Sequence, residues 1–383
     1  MSNRNKKFAI IGAGIGGLTA GIMLEKLGFH VDIYEAADSV RGIGAGIGLA
    51  SNAIKAFEYL GLDQEVITIS NHLRDFEISD HKGKTILCAD TERITRNYNT
   101  DNYAIHRADL HHFLVSKVSP KSIHLNKRLK SFRHENDSVV IEFEDGTNAK
   151  TDYLIGADGV NSKVRQLLVP KSEPRFAGYW CWRATIDHNF EGLKSTEVWG
   201  KNGRFGITPL KGNRIYWYAC LNTNLKDCVK DFGLEELKFR FRNYFPFIGE
   251  ILNLTEEKDL ISTPIVDLAP ISNYSFVNVL LLGDAAHATT PNMGQGACMA
   301  LEDVAVLQNE LMKNDVETAF INFEKRRLKR THYITATSLR AGKVAQSDNG
   351  LIIYLRNNLL RMMPDSVSQS QLKRLLDEDF MAI

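Results

Sequence analysis

The pattern of apolar and polar positions is most regular at the start of the chain. Phe8-Ala-Ile-Ile11 is a continuous apolar run, which predicts a short strand buried on both faces. Leu18-Thr-Ala-Gly-Ile-Met-Leu-Glu-Lys-Leu27 then places apolar residues at helical spacing, and His30-Val-Asp-Ile-Tyr34 predicts a second strand ending at Glu35. Asn52 to Leu60 reads as a short amphipathic helix stopped at Gly61. Residues 73–90 alternate weakly around His81-Lys-Gly-Lys84, a hairpin turn. Ser122–Leu125, Leu129–Phe132 and Ser138–Glu144 read as strands, with a turn at Asp145-Gly146. From Phe176 to about Ile265 aromatic and β-branched strands dominate: Gly178–Ile186, Thr196–Trp199, Arg204–Leu210 and Arg214–Leu221. All four tryptophans fall there, and an antiparallel sheet with one aromatic face is a wall for a small apolar or aromatic molecule. Val277–Gly283 predicts a buried strand, and Ala297–Leu307 a helix. The remainder, from about residue 315, reads as helical. The basic run Glu324–Arg330 is expected on a solvated helix face, and the amphipathic stretch Leu351–Met363 against the body of the protein.

Composition narrows the function classes. With 383 residues, 44% hydrophobic and 24% charged, two closely joined domains are the default. The net charge of +1, from 47 basic and 46 acidic residues, lacks the footprint of a nucleic-acid binder. No stretch approaches a membrane span, and the basic N-terminus is followed by a glycine-broken strand rather than a leader, so a cytoplasmic location without stable membrane insertion is expected. Five cysteines without a C-x-x-C pair point to free thiols, not a disulfide framework or zinc. His106, His111 and His112 lack a carboxylate or cysteine at ligand spacing, so no metal is expected.

The chemistry lies at strand-to-helix junctions. Gly12, Gly14 and Gly17 form G-x-G-x-x-G between the first strand and its helix. Gly12 serves the tight turn, Gly14 the approach of a pyrophosphate, and Gly17 close packing of helix on strand. The helix N-terminus, with Ile15 and Gly16, supplies free amides for the diphosphate. Glu35 stands 18 residues past Gly17, where an acid accepts from ribose hydroxyls. The unit predicts an adenine dinucleotide. A second glycine cluster, Arg41-Gly-Ile-Gly-Ala-Gly-Ile-Gly48, reads as backbone pressed against a flat or phosphorylated ligand with Arg41 near charge. Thr151 to Gly159 is a strand running into Gly-Ala-Asp-Gly, followed by Ser162 and Arg165. The third junction runs from Gly283-Asp284 through Pro291 to Gly294-Gln-Gly296 and Ala297, another helix N-terminus with an acid beside it. Arg183 and Arg204 on the aromatic strands could hold a substrate carboxylate or phenolate, or be solvated at an edge; Tyr216 and Met293 join them as candidate substrate contacts.

Taken together, the three junctions resemble the fingerprints of the flavoprotein aromatic hydroxylases of the para-hydroxybenzoate and salicylate hydroxylase type. Gly12–Gly17 matches the first motif, Asp158-Gly159 with Arg165 the D-G motif, and Gly283-Asp284 with Pro291 and Gly294–Gly296 the G-D motif. The resemblance covers nearly the whole chain. It implies an α/β fold: a Rossmann-like FAD-binding domain (1–72, 98–175 and 266–340), an inserted, mainly antiparallel β-sheet substrate domain (73–97 and 176–265) and C-terminal helices (341–383). It implies FAD, with Gly12, Gly14, Ile15, Gly16 and Gly17 at the pyrophosphate, Glu35 at the ribose, Arg41 and Arg107 at the phosphates or ribityl chain, and Leu129 at the adenine. Asp158 would help bind NAD(P)H transiently, Asp284 the ribityl or pyrophosphate part, and Pro291, Gly294, Gln295, Gly296 and Ala297 the isoalloxazine. The implied activity is hydroxylation of an aromatic or conjugated small molecule with NAD(P)H and O2, through a flavin C4a-hydroperoxide, by a monomer or homodimer. A halogenase, epoxidase or antibiotic-modifying oxygenase is the alternative. Trp180-Cys-Trp182 is similar to the halogenase W-x-W, but continues into Arg183-Ala-Thr-Ile186 and not Ile-Pro.

Overall fold

The computed structural model describes residues 6–381 apart from 41, 43, 91–99, 189, 191, 224–231, 365–369, 371–374 and 377–379. Arg41 and Cys228 lie outside the described residues. Phe8–Ile11 is the centre of a six-stranded sheet, as its apolar run requires. The strand Lys7–Ile11 pairs in parallel with Tyr153–Gly156 on one side and His30–Tyr34 on the other. Val279–Leu281 and Ile123–His124 extend the parallel sheet, and Ser275–Phe276 closes one edge antiparallel. Phe8, Ile10, Leu154, Ile155, Leu280 and Leu281 are fully buried, a doubly wound core that brings the three glycine-punctuated junctions to the same sheet edge.

The helices expected around this sheet form at Ile15–Lys26, Ser51–Leu60, Gly296–Lys313 and Val316–Ala345. One strand is shorter than its sequence suggests. Val277 has φ +57 and is 79% exposed, so the apolar run opens with a turn and the strand begins at Val279.

A seven-stranded sheet stands beside it, in the order Ile261–Leu268, Pro174–Asp187, Arg214–Asn222, Gly203–Leu210, Ser195–Gly200, Asp75–Asp80, Thr85–Asp90. It is antiparallel except between Ser195–Gly200 and Asp75–Asp80. Alternation gives it two unlike faces. Trp182, Ala184, Phe205, Ile207, Trp217 and Ala219 point into a core closed by the helices Leu234–Phe241 and Pro246–Leu254. Trp217 Nε1 donates to Thr255 Oγ1 at 2.9 Å and Trp182 Nε1 to the Phe232 carbonyl at 2.9 Å, so both indoles are satisfied inside that core. The other face carries Cys181, Arg183 and Thr185 across from Cys220, Tyr218 and Tyr216, with Arg204, Gly206 and Thr208 beyond. Trp180, Trp182 and Trp217 therefore build the covered side, while Trp199 pairs with Arg204 on the other face and packs with Ile78, Ile86 and Ala345. The wall turned toward the first sheet is made of tyrosine, arginine, threonine and cysteine.

Candidate active site

The first junction is held by contact between backbones. A Cβ on Gly12, whose φ is +103, would lie 2.5 Å from the Ala157 carbonyl oxygen, and one on Gly17 would fall inside the contact radius of the Gly12 oxygen. Gly14 differs: no atom lies within 4 Å of where its Cβ would stand. The helix begins at Ile15 with no acid in its first turn, so the amides of Ile15, Gly16 and Gly17 point outward without an intrahelical partner. The Glu35 carboxylate accepts from Ala13 N at 2.9 Å and Ala37 N at 2.9 Å, which places it beside that helix end. The Asn126 and Lys127 amides donate to the carbonyls of Ala37 and Glu35, drawing the segment that leads to the buried Leu129 alongside.

The second junction turns inward. Asp158 accepts from Ser162 Oγ and from the amides of Lys163 (2.7 Å) and Val164 (3.1 Å), capping its own helix. Arg165 is fully buried and donates to the carbonyls of Val160 (2.6 Å) and Ala285 (3.1 Å), so it fastens this junction to the third. Both carboxylate oxygens of Asp158 and the Arg165 guanidinium are thus committed to positioning the turn.

At the third junction Asp284 has no hydrogen-bond partner among the described residues. Its side chain is exposed to solvent just past the end of the Val279–Leu281 strand. Desolvation raises its pKa from the ordinary aspartate value, with His287 and Arg107 pulling the other way. The Arg107 guanidinium is likewise without a hydrogen-bond partner among the described residues; desolvation and the Arg183 charge lower its pKa, while Asp284 opposes them. Arg183 Nε is buried with no partner. Three charged groups from three separate elements thus lie close enough for Arg107 to feel both Arg183 and Asp284, and none of the three side chains has a hydrogen-bond partner among the described residues.

The loop beside them is braced from behind. Asn292 Oδ1 accepts from Arg204 (2.8 Å) and Tyr179 (3.1 Å), while its Nδ2 donates to Thr290 Oγ1 and the Ser338 carbonyl. Gln295 is buried and accepts from Asn52, which also donates to Glu302. Glu302 and Asp303 are fully buried on the Gly296–Lys313 helix. Glu302 is paired with Arg327 (2.7 Å) and Arg330, and Asp303 with Arg327 (2.6 Å), His287 (2.7 Å) and the Gly283 amide (2.9 Å). The expected solvated face of 324–330 is corrected by this: Arg327 and Arg330 are 1% and 4% exposed, because two adjacent acids on an otherwise apolar helix need cations. Pro291 and Gly294 are exposed at the loop surface, and Gly296 and Ala297 are half-buried beside Asp284. Met293, expected at a substrate, packs with Ala50 on the Met299–Ile334 cluster.

The second glycine cluster also differs from its sequence reading. Gly42 approaches Ala108, and Gly46 lies directly against the Tyr216 ring, so these glycines admit other parts of the protein. Tyr216 and Tyr218 stand 5.7 Å apart on the wall, and burial holds both phenols neutral, well above their ordinary pKa. Tyr218 donates to Glu197 Oε2 at 2.8 Å.

Arg204 corrects a second expectation. It donates to Gln346 (2.6 Å), Glu197 (3.0 Å) and Asn292 (2.8 Å), lies 5.6 Å from the Tyr179 ring centroid, and is 3% exposed. Burial opposes its charge, but Glu197 more than offsets this and its pKa rises. It is a strut between sheet, loop and C-terminal helices. Arg204→Ala is expected to lower unfolding stability by about 3 kcal/mol, since Glu197 keeps its bonds from Tyr218 and Trp199 but is left buried without a counter-ion. Denaturant unfolding checks this; an unchanged midpoint with a raised substrate KM would return Arg204 to the role of ligand anchor. Sequence reading missed Glu197, Asn292, Asn52 and the Glu302–Asp303 pair. The signal was present: single polar residues embedded in apolar strands and helices.

Comparison with known proteins agrees with this geometry. The model of the FAD binding domain family matches residues 6–319. The chain is 32% identical over 371 residues to the aurachin C monooxygenase/isomerase of Stigmatella aurantiaca, covering 96% of this chain and 97% of the relative. It is 29% identical over 371 residues to the 2-heptyl-3-hydroxy-4(1H)-quinolone synthase of Pseudomonas aeruginosa, with 96% of each covered. Among solved structures, Klebsiella pneumoniae HpxO complexed with FAD and uric acid superposes with a TM-score of 0.89 at 25% identity, over 97% of this chain and 96% of that one. A glycine-bound helix end, the grouped Arg107, Asp284 and Arg183 and these matches lead to one assignment: the chain belongs to the FAD-dependent aromatic hydroxylases and is an FAD-dependent monooxygenase of aromatic small molecules.

Proposed function

We propose that the enzyme uses NAD(P)H and O2 to hydroxylate a fused, nitrogen-containing aromatic ring of the alkylquinolone kind, bound between the Asp284 turn and the tyrosine–arginine wall. The observation that carries this is the grouping of Arg107, Asp284 and Arg183, whose side chains have no hydrogen-bond partner among the described residues, with Tyr216 next to Arg183 on the wall and open space at Gly14. These residues fit FAD. The amides of Ile15, Gly16 and Gly17 would take the pyrophosphate past Gly14, with Gly12 shaping the turn and Glu35 taking the ribose. The backbone near Leu129 would meet the adenine, and Arg107 and Asp284 the phosphates and ribityl hydroxyls. Pro291 and Gly294 to Ala297 would cover the ring system. Asp158 would act through the turn it caps. The division into FAD-binding parts (1–72, 98–175 and 266–340), a substrate sheet (73–97 and 176–265) and C-terminal helices (341–383) belongs to the same proposal, as does a monomer or homodimer.

Bound FAD, once reduced by NAD(P)H, would activate O2 for transfer of one oxygen atom to the ring, with water as the other product. The chain does the rest. Arg183 stabilises negative charge on the substrate oxygen as the ring is attacked, because it is a half-buried cation whose buried Nε has no partner. Neutral Tyr216 and Tyr218 form a dry aromatic surface on which the ring stacks. Support for the quinolone class comes from the names of the two relatives matched over 96% of this chain. A halogenase is disfavoured because Trp180 and Trp182 point into the core on the far side of the sheet.

The test is NAD(P)H oxidation by purified yellow protein with 2-alkyl-4-quinolones, hydroxybenzoates and purines. The expected result is a rate rise of about tenfold or more with a quinolone and a product heavier by one oxygen. No stimulation by any quinolone, or a chlorinated product, overturns the proposal.

A further inference from the structure

The Gly350–Arg361 helix is amphipathic, but it sits inside out. Toward the protein it turns Arg356 and Asn357, which are 7% and 6% exposed. Arg356 lies over the Trp199 ring at 4.6 Å and donates to the carbonyls of Val344 (3.1 Å) and Ala345 (3.0 Å), while its Nη2 is buried without a partner. Toward solvent it turns Leu351 (69% exposed), Ile352 (53%), Tyr354 (65%), Leu355 (57%) and Leu359 (71%), continued by Met362 (80%). At 100° per residue these six fall in one stripe roughly 160° wide. Folding alone selects the opposite arrangement. A contiguous exposed apolar stripe of this kind marks a surface that something else covers. The described residues that follow do not cover it: Leu375 and Leu376 pack on Met299 and Ile334, and Phe380 on Tyr59.

The rim decides between occupants. Arg361 donates to Asp80 Oδ2 (2.7 Å) and the Thr85 carbonyl (3.0 Å), which fixes the helix to the 75–90 hairpin, where Lys82 and Lys84 are exposed. Phe245, 48% exposed, stands against Gly83 at the tip of that hairpin. Arg340 and Lys343 are exposed near the end of the helix from which the chain turns back. Of the nearby acids, Asp80 is engaged by Arg361 and Asp348 lies at the turn. A second copy docked by twofold symmetry would bring these cations together. A surface of lipid phosphates would neutralise them while taking up the apolar stripe. No helix among the described residues is long and apolar enough to cross a membrane.

We infer that the Leu351–Met362 face lies in the headgroup region of an anionic membrane surface, with Lys82, Lys84, Arg340 and Lys343 on lipid phosphates. The contact holds the enzyme where an apolar substrate would partition, but it rests on this surface alone and not on the substrate proposed above.

The test is flotation of the full-length, FAD-loaded protein with vesicles of phosphatidylcholine, pure or with one quarter phosphatidylglycerol. Co-flotation with the anionic vesicles is expected, falling about tenfold on pure phosphatidylcholine or in about 0.5 M salt. Leu355→Glu with Leu359→Glu should cut binding about tenfold or more, and Lys82→Glu with Lys84→Glu should remove the anionic preference, with flavin absorbance and thermal midpoint unchanged in both. Wild-type protein that floats with neither vesicle overturns the inference. So does a Leu355→Glu/Leu359→Glu protein that floats like wild type, or a light-scattering dimer that those substitutions turn into monomer.

Discussion

Gly14→Ala and Gly17→Ala, three residues apart at the cap and first turn of one helix, are expected to fail in opposite ways. At Gly14 the backbone is extended, φ −75, and the space a Cβ would fill is empty of protein. Alanine there adds no strain, so the apoprotein should unfold within about 0.5 kcal/mol of wild type. The methyl group would instead occupy the approach to the free amides of Ile15, Gly16 and Gly17. FAD affinity should fall about 100-fold, equivalent to about 3 kcal/mol, the scale of lost charge-assisted hydrogen bonds. At Gly17 the added Cβ meets the Gly12 carbonyl oxygen, backbone against backbone, with no flexible side chain to yield. That variant should lose about 3 kcal/mol of stability before any cofactor is added. Denaturant unfolding of the apoproteins and FAD titration of the refolded variants separate the two. If Gly14→Ala binds FAD as wild type does, the pyrophosphate is not held at this helix end.

That junction was readable because each requirement is local. An apolar run, a glycine spacing and a terminal acid all lie within Phe8–Glu35, and strand period, helix period and turn chemistry agree. The later junctions were readable for the same reason. What could not be read depends on partners distant along the chain. Arg327 and Arg330 lie in a run that looks like a solvated face; only the fold brings them onto Glu302 and Asp303, 25 and 24 residues from Arg327. Arg204 looks like a ligand anchor until Glu197, Asn292 and Gln346 arrive from three other elements. The amphipathic pattern of 351–363 was plain, but periodicity does not say which side of a helix faces the protein. The aromatic strands misled in the same way, since alternation fixes two faces without saying which one the helices cover.

The ion cluster behind the Asp284 turn carries the other large effect. Asp303 accepts from Arg327, His287 and the Gly283 amide at once, so it ties the Gly296–Lys313 helix to the turn that presents Asp284. Asp303→Asn keeps the shape but removes the charge that compensates buried Arg327. The expected loss at pH 7 is about 3 kcal/mol, with weaker FAD binding because the Gly283-Asp284 turn loosens. The sign of the pH dependence follows from the same contacts. Burial alone would raise the Asp303 pKa, but His287 and Arg327 outweigh it and hold the carboxyl below the ordinary aspartate value. Its stabilisation is therefore complete above the unfolded-state value near 3.9 and is lost as pH falls through the lower folded-state value. Glu302, also lowered, follows the same rule. Wild type should lose stability steeply below about pH 4, and Asp303→Asn less steeply, so the gap between them should narrow from pH 7 toward pH 3. Urea midpoints measured across that range decide it. A gap that stays constant would mean that Asp303 has the same pKa folded and unfolded, so that its charge contributes no net stabilisation through Arg327 and His287.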